Sequence, residues 1–487
     1  MRELIIALLK TGSGTIGGLA IRAVTMKIIS VFAGPAGVGM FSILRQIQQS
    51  AITVGTCNGG VSLVRGVSGL RGREQTMYIK TTAVIYLVFG TVVGSSLLLM
   101  SHIIAKWFGI THPELIMLLA LPVLAGILRD YLNSMLNGFH AIGRLSTVQV
   151  FAAMAGLLVA YPVSLLASHG HYGGFVLYLL VTASVSVVSL LYFLKGGKWM
   201  PDLKVSPYWN RPGVKYFFRM AGAMLLTGTA GALSLAAVRG LISRSMGMAF
   251  AGFFDVNWTL SNLYIGLFLS SFATYYLPKL SAISDTEKID LVKRVGRLTT
   301  CIIVPLLVFI ICVKPWIILV FYTRKFMPSI EMFRWMLIAG YLQVTAWIFS
   351  IITIAKGMEK PFIIGSIGWD AGFLAGTWAA MRFKLGLGAV GLSMALFYGL
   401  SLLFNYFVIS KAISFKVPVR LLFNWILGLL LIVAASIAQW KSYNVNLIFT
   451  LVFTSAALLM SWTCLEPDDK KGLYKIISKI GDSSVRF

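Results

Sequence analysis

Residues 32–49, FAGPAGVGMFSILRQIQQ, decide the fold, because they end one long apolar segment and begin another. Pro35 cannot continue a preceding helix, since it lacks a backbone N–H and its ring clashes with the turn before it. Gly34, Gly37 and Gly39 tolerate the backbone angles of a tight reversal. The stretch therefore predicts a turn between two helices.

The second of these segments carries a polar stripe. Arg45, Gln49, Thr53 and Thr56 follow one another at i, i+4, i+8 and i+11, which places them on one face of a helix. If this helix spans a membrane, a face that bears an arginine must turn toward water or a polar interior rather than lipid. The stripe predicts an aqueous path inside a bundle of helices.

The composition is that of a membrane protein. Hydrophobic residues make up 58% and charged residues 12% of the 487 residues, and the mean hydropathy is +0.85. Apolar runs long enough to cross the bilayer recur along the chain. We predict an all-α multi-pass protein with about fourteen transmembrane helices, near 11–33, 38–64, 81–101, 115–138, 145–167, 173–194, 216–243, 249–277, 298–320, 330–355, 362–381, 387–410, 419–439 and 447–464.

The charge distribution predicts the topology. The chain carries 42 Lys and Arg against 16 Asp and Glu, a net charge of +26. The basic residues concentrate in alternate connections and at both ends, which predicts that both termini are cytoplasmic. Anionic membrane lipids are the partners expected for such loops, and a nucleic-acid partner is not expected. Lys314 is assigned by this count to an external connection.

Two parts of the chain resemble each other at an offset of 213 residues. Residues 36–46 match 249–259, and at nearly the same offset Lys27 corresponds to Arg239. An even number of spans in each part predicts a parallel repeat, an architecture of transporters. We predict five segments: an N-terminal six-helix lobe at 1–195, a cytoplasmic linker at 196–215, a C-terminal six-helix lobe at 216–412, an additional helix pair at 413–465 and a basic cytoplasmic tail at 466–487.

Cations inside apolar runs are the candidate site residues. Each unpaired charge at the centre of a bilayer costs about 2.5–3.5 kcal/mol or more, so several together predict a hydrated cationic cavity. The planar guanidinium suits phosphate oxygens. Candidates for phosphate contact are Arg45, Lys27, Arg239, Arg22, Arg129 and Arg334, and polar or coupling candidates are Gln49, Asn133, Asp255, Asn262 and Asp130.

Two details of these candidates are specific expectations. Arg129 and Asp130 are adjacent in sequence, so we expect each to find its partner on another helix. Asp370 is the remaining acid that we expect to be buried. No catalytic or metal-binding constellation appears in the sequence, and the GxGxxG at 12–17 has no preceding strand, so we expect no enzyme activity, cofactor or bound metal.

Several motifs resemble those of a known family. They are residues 27–47 with Arg45, SFATYYLPKLS at 271–281, Lys325-Phe326 and residues 354–357. The chain resembles, over roughly residues 10–410, the Wzx-type polysaccharide flippases of the MOP (MATE-like) superfamily, especially those of O-antigen and enterobacterial common antigen. The resemblance implies a bacterial inner-membrane protein that moves undecaprenyl-diphosphate-linked oligosaccharide to the periplasmic leaflet by alternating access. It also implies polymerase and chain-length partners of the glycan pathway, and proton or sodium coupling. The C-terminal helix pair and Arg22 depart from the family pattern.

Two other classes of function stay open. A MATE-type drug antiporter coupled to a cation would depend on Asp255 and Asp130 and not on the arginines. If the chain were a scaffold for glycan assembly that transports nothing itself, mutation of the cavity residues would cause no loss of flipping. In the flippase hypothesis, Arg45, Lys27 and Arg239 neutralise the diphosphate.

Overall fold

The computed structural model is all-α. It describes residues 2–197, 199, 209–438, 446–467, 469 and 470, so most of the predicted linker and tail lies outside the described residues. Seventeen α-helices occur in the described part of the chain: α1 (Arg2–Phe32), α2 (Gly34–Gly55), α3 (Gly60–Gly69), α4 (Gly72–Leu99), α5 (Ser101–Phe108), α6 (Glu114–Leu118), α7 (Ala120–Gly138), α8 (Ile142–Ser168), α9 (Gly173–Gly196), α10 (Arg211–Met246), α11 (Met248–Ala282), α12 (Asp285–Phe321), α13 (Ile330–Ala355), α14 (Glu359–Arg382), α15 (Leu387–Ile413), α16 (Val419–Ala438) and α17 (Leu447–Cys464).

The prediction of an all-α chain with many membrane-spanning helices is confirmed. Within the described residues, ten helical segments are long and apolar enough to cross a bilayer. The remaining four predicted spans coincide with α1, α2 and α3, α11, and α14. These helices carry glycines and polar side chains that lower their hydropathy. The number fourteen stays a prediction.

The predicted turn before α2 is shorter than the sequence pattern suggests. Gly34, at φ +63°, is its left-handed residue, and Pro35 lies in the first turn of α2, where a missing N–H is harmless. Gly37 and Gly39 lie inside α2, so their assignment to the reversal was wrong. The predicted span 38–64 is also interrupted, because α2 ends at Gly55 and α3 begins at Gly60.

Gly39 and Gly252 let the N-terminal turns of α2 and α11 cross at close range. A Cβ atom at Gly39 would lie 1.9 Å from the carbonyl oxygen of Met248, and one at Gly252 would lie 2.1 Å from that of Pro35. Both residue pairs are related by the offset of 213. Glycine is required at both positions because any side chain would push the two backbones apart.

The chain divides into two compact units. The N-terminal unit holds Gly14–Asp255 with Phe321–Lys325, and the C-terminal unit holds Met1–Ser13, Val256–Val320 and Phe326–Phe487, as far as these are described. In the N-terminal unit, α10 packs against α2, α3 and α4. In the C-terminal unit, α15 packs against α13 and α14.

Candidate functional site: an arginine–aspartate–arginine cluster

Arg45, Asp255 and Arg239 meet inside the N-terminal unit. Arg45 Nη2 donates to Asp255 Oδ1 at 3.0 Å and to Oδ2 at 3.2 Å. Arg239 Nη1 donates to Asp255 Oδ1 at 2.7 Å and to the carbonyl oxygen of Ser42 at 3.3 Å. The side chains come from α2, α11 and α10, so the cluster depends on the crossing of α2 and α11.

The three side chains differ in exposure. Asp255 is 0% exposed and the side chain of Arg239 is 3% exposed, whereas the side chain of Arg45 is 38% exposed. A buried carboxylate is stable only when it is paired and hydrogen-bonded, and here it has two cationic partners. Two cations and one anion give the cluster a net charge of +1. Arg45 is the more exposed of the two cations, so the accessible positive charge of the cluster is on Arg45.

An aromatic ring lies against each guanidinium. The Cζ atom of Arg45 is 5.5 Å from the centre of the Phe41 ring, and that of Arg239 is 5.5 Å from the centre of the Phe254 ring. Cation–π contacts at this distance are favourable and limit where the guanidinium can move. Phe41 and Phe254 are again related by the offset of 213.

Hydrogen bonds to neighbouring backbones fix α2. Gln46 Nε2 and Ser50 Oγ both donate to the carbonyl oxygen of Ala232, at 3.2 and 2.9 Å. Gln48 Nε2 donates to the carbonyl oxygen of Pro122 at 3.0 Å. These contacts set the rotation of α2, and Arg45 and the exposed Gln49 lie on another side of the same helix.

The α1 candidates lie in the same unit as the cluster. Lys27 Nζ, on half-buried Lys27, donates to the carbonyl oxygen of Tyr322, so this cation is tied to the segment after α12. Arg22 is exposed on the same helix. The structure thus gives Lys27 a defined contact and leaves Arg22 on an accessible face.

Arg129 and Asp130 pair with each other, so the expectation that each finds a partner on another helix was wrong. Arg129 Nε and Nη2 donate to Asp130 Oδ1 at 2.9 and 2.7 Å. The long arginine side chain folds back along the surface of α7, although neighbouring helical positions point in different directions. Both side chains are about one third exposed, and Asn133 is exposed one turn further on.

The remaining candidates belong to the C-terminal unit. Arg334 is buried, with Nη2 3.8 Å from Glu331 Oε1. Asn262 is exposed, and its side chain donates to the carbonyl oxygen of Trp258 at 2.8 Å within α11. Asp370 is buried, as expected. Arg334 and Asn262 are therefore not part of the arginine–aspartate–arginine cluster.

One buried cation was assigned to the wrong place by the charge count. Lys314 lies inside α12 and is 0% exposed, whereas the count gave it to an external connection. Its position inside the predicted apolar run 298–320 is the sequence signal that identifies it as buried. The rings of Phe41 and Phe254 were also missed, because a single aromatic residue in a membrane helix carries no functional signal.

The fold is shared with solved multi-pass membrane transporters. The structure is similar to an inward-facing multidrug-resistance MATE transporter of the MOP superfamily, with a TM-score of 0.65 and 14% identity over 84% of this chain and 98% of that one. It is also similar to the lipid II flippase MurJ in an inward closed conformation, with a TM-score of 0.66 and 14% identity over 94% of this chain and 98% of that one.

The family follows from the sequence match. The model of the family described as "Polysaccharide biosynthesis protein" matches residues 71–331, and the chain belongs to this family. The lipid III flippases of Escherichia coli K12 and Shigella flexneri are each 23% identical over 372 residues, which is 74% of this chain and 85% of each relative. Both relatives are thus named as flippases and not as enzymes.

Proposed function

We propose that this chain is a lipid-linked oligosaccharide flippase of the bacterial inner membrane. It moves a glycan linked to undecaprenyl diphosphate from the cytoplasmic to the periplasmic leaflet by alternating access. Support comes from membership of a polysaccharide biosynthesis family and from relatives named lipid III flippase over most of the chain. The MOP fold, with MurJ among its similar structures, agrees with this cargo.

The proposal rests mainly on the accessible guanidinium of Arg45, which is bonded to the buried pair of Asp255 and Arg239. Asp255 and Arg239 neutralise each other inside the protein, and the remaining positive charge of the cluster is on Arg45, whose side chain is 38% exposed. An arginine held in this way can donate two parallel hydrogen bonds to a phosphate. In our account, a substrate phosphate replaces Asp255 as the partner of the accessible N–H groups of Arg45.

The three cations therefore have different roles in this proposal. Arg45 contacts the diphosphate, and Lys27 adds positive charge from α1. Arg239 is too buried to reach a ligand in this conformation, so it acts as the permanent partner of Asp255. Asp255 occupies the site in the absence of cargo and limits the affinity of Arg45 for unrelated anions.

The finer architecture is part of the same proposal. We infer fourteen transmembrane helices, with two six-helix lobes related by a parallel repeat, an additional helix pair and cytoplasmic termini. The reciprocal glycine contacts at Gly39 and Gly252 support the repeat, because each glycine meets the backbone atom that the offset of 213 predicts. The twelve repeated spans leave α16 and α17 as the added pair.

A cation-coupled drug antiporter is the second candidate function. It is favoured by the likeness to a MATE transporter and by the fully buried Asp255. In that case Asp255 would bind the coupling ion or a cationic drug, and Arg45 would be dispensable. The buried Arg239 argues against it, because a permanent guanidinium partner disfavours a second cation at the same carboxylate.

Complementation of defined export-deficient bacterial strains tests the proposed function. Each strain lacks one flippase for a surface polymer, and the expected result is that this chain restores one polymer at its normal surface level. Drug susceptibility of a strain without its main efflux pumps is measured in parallel. Drug resistance without any restored polymer would overturn the flippase proposal in favour of the antiporter.

A further inference from the structure

A pocket of about 130 Å³ lies in the C-terminal unit, where α12, α16 and the segment after α17 come together. Three basic side chains and one acidic side chain line it, together with Asn424 of α16. The charged residues are Lys293, Arg297, Arg420 and Glu466. The described lining is therefore mainly basic, which favours an anion as the ligand.

The pocket lies at the boundary between the apolar interior of the membrane and water. Arg420 is in the first turn of α16, and Glu466 lies just beyond the end of α17. The predicted apolar run 298–320 of α12 begins directly after Arg297. Each of these three helices is long and apolar enough to cross a bilayer. The pocket is thus at the height of one membrane surface, which the charge distribution predicts to be the cytoplasmic one.

Asn424 gives an independent indication of a ligand. The residue is only 8% exposed, and its side-chain amide makes no hydrogen bond within the described residues. The amide is not among the fully enclosed polar atoms without a partner, and the residue lines the pocket, so a molecule in the pocket can reach it. A buried amide without a partner is unfavourable, and a ligand that bonds to it would remove this cost.

Arg420 is the cation with the most donors left for a ligand. It is exposed, and in the described part of the chain its guanidinium makes one long hydrogen bond, 3.5 Å from Nη2 to the carbonyl oxygen of Thr463. No acidic side chain among the described residues pairs with it. Arg420 and Asn424 are four residues apart on α16, so they lie on the same face of the helix.

The other two basic residues already have acidic partners. Arg297 donates from Nη1 to Glu466 and from Nη2 to Asp469, so its charge is balanced. Lys293 Nζ donates to Asp290 at 2.9 Å, but the side chain of Asp290 is 80% exposed. Exposed pairs of this kind are weak, so the ammonium group of Lys293 is able to turn toward a ligand.

The composition of the lining separates the candidate ligands. A divalent cation needs several oxygen ligands that converge on one point, and three basic side chains would repel it. A phosphate accepts hydrogen bonds from guanidinium, ammonium and amide groups alike. Basic pockets between membrane helices on the cytoplasmic side bind anionic lipid headgroups. The volume is below that of pockets for drug-sized molecules, and it fits a phosphate group whose remaining molecule lies outside the pocket.

We propose that this pocket binds the phosphate of an anionic membrane phospholipid. Arg420 and Lys293 contact the phosphate oxygens, and Asn424 donates its amide N–H to the headgroup. Phe423, which is 62% exposed next to them on α16, offers an apolar surface to the acyl chains. The headgroup bridges α12 and α16 and so holds the additional helix pair against α12. This site goes beyond the proposed flippase function, because its ligand is a constituent of the membrane and not the cargo.

Native mass spectrometry of the full chain, released from nanodiscs of phosphatidylglycerol and phosphatidylethanolamine in equal amounts, tests the proposal. We expect phosphatidylglycerol to be retained in preference, since only this lipid carries a net negative charge. Arg420→Gln should lower its retention about tenfold, because a charge-assisted hydrogen bond is lost. Asn424→Leu keeps a similar volume without the amide and should also lower retention. Millimolar inorganic phosphate should not displace the lipid, because the acyl chains add to its binding.

Lys416→Gln is the matched control, because Lys416 is exposed, lies four residues before Arg420 and does not line the pocket. Its retention of phosphatidylglycerol should equal that of the unmodified chain. Arg420 is exposed, so Arg420→Gln should also keep the melting temperature of the unmodified chain. Equal retention of the two lipids, unchanged retention in Arg420→Gln, an equal loss in Lys416→Gln or displacement by inorganic phosphate would each overturn the proposal. Polymer export by the unmodified chain tests the flippase function separately.

Discussion

The N-terminal parts of α2 and α11 are built alike but carry different charges. Gly39 and Gly252 sit at equivalent positions and each meets the other helix at its backbone. Three residues further on, α2 has Ser42, whereas α11 has Asp255. The backbone contact is therefore symmetric, whereas the charge of the side chains at equivalent positions is not.

This difference shows how a repeated backbone can hold a single charged site. The ring of Phe41 and the ring of Phe254 support one guanidinium each at the same distance. Only α11 adds a carboxylate, so both arginines converge on one acid. The following predictions test which parts of the comparison are structural and which are functional, from the largest expected effect to the smallest.

Asp255→Ala should have the largest effect on folding. It leaves Arg239 buried without its acidic partner, and breaking a buried pair in this way costs about 3–5 kcal/mol. We expect low protein levels and a strongly lowered melting temperature in detergent. Asp255→Asn combined with Arg239→Met removes both charges and should recover much of the lost stability, and a melting temperature of Asp255→Ala equal to that of the unmodified chain would refute the cluster.

Gly39→Val and Gly252→Val should each have a large effect because they separate the two backbones. Overpacking costs about 1–3 kcal/mol and occasionally more, and here the obstacle is a carbonyl oxygen at about 2 Å. We expect similar losses of melting temperature in the two variants, since the contacts are reciprocal. Gly222→Val on α10 is the control, because a Cβ there meets nothing within 4 Å; equal effects in all three would rule out a special role for the crossing.

Arg45→Ala should lower the melting temperature far less than Asp255→Ala. The side chain of Arg45 is 38% exposed, so water already solvates part of its charge in the folded protein. Asp255 also keeps Arg239 as its partner. A loss of stability as large as that of Asp255→Ala would show that Arg45 is a structural residue and not the accessible part of the site.

Arg129→Ala should have the smallest effect on stability. Its pair with Asp130 is about one third exposed on both sides, which corresponds to an ion pair of at most about 1 kcal/mol. We expect a normal melting temperature and normal polymer export. A severe loss of export at normal protein level would instead make Arg129 a second contact for the anionic cargo.

The sequence predicted the membrane class, the turn at Gly34 and most of the polar face of α2, because each depends on local composition or on helical spacing; Thr56, the last member of the predicted stripe, lies beyond the end of α2 and is buried. It grouped Arg239 with Arg45 around the diphosphate and placed Asp255 among the coupling candidates, but it did not predict that Asp255 is the partner of both arginines. The Arg45 and Asp255 positions are 210 residues apart, and no local pattern encodes such a contact. The role of Gly39 was missed for the same reason, since a helix crossing and a turn both favour glycine.

The pairing of Arg129 with Asp130 was missed for a different reason. Helical spacing describes the directions of Cβ atoms, and it does not describe how far a long side chain can bend back. A cavity of about 210 Å³ among α13, α14 and α15, with Trp369 in its lining, was missed because aromatic residues in membrane helices are common. Only their convergence with Asp370 and Asn405 on one space distinguishes them.

Polymer export by Arg45→Ala, measured at normal protein level in the complemented strain, tests the central claim most directly. Arg45→Lys, which keeps the charge without the planar donor fork, and Arg129→Ala serve as comparisons. The account predicts that Arg45→Ala loses export at least tenfold while the protein stays folded, and that Arg45→Lys retains part of it. Full export by folded Arg45→Ala would contradict the account, because the accessible cation of the cluster would then have no part in moving the cargo.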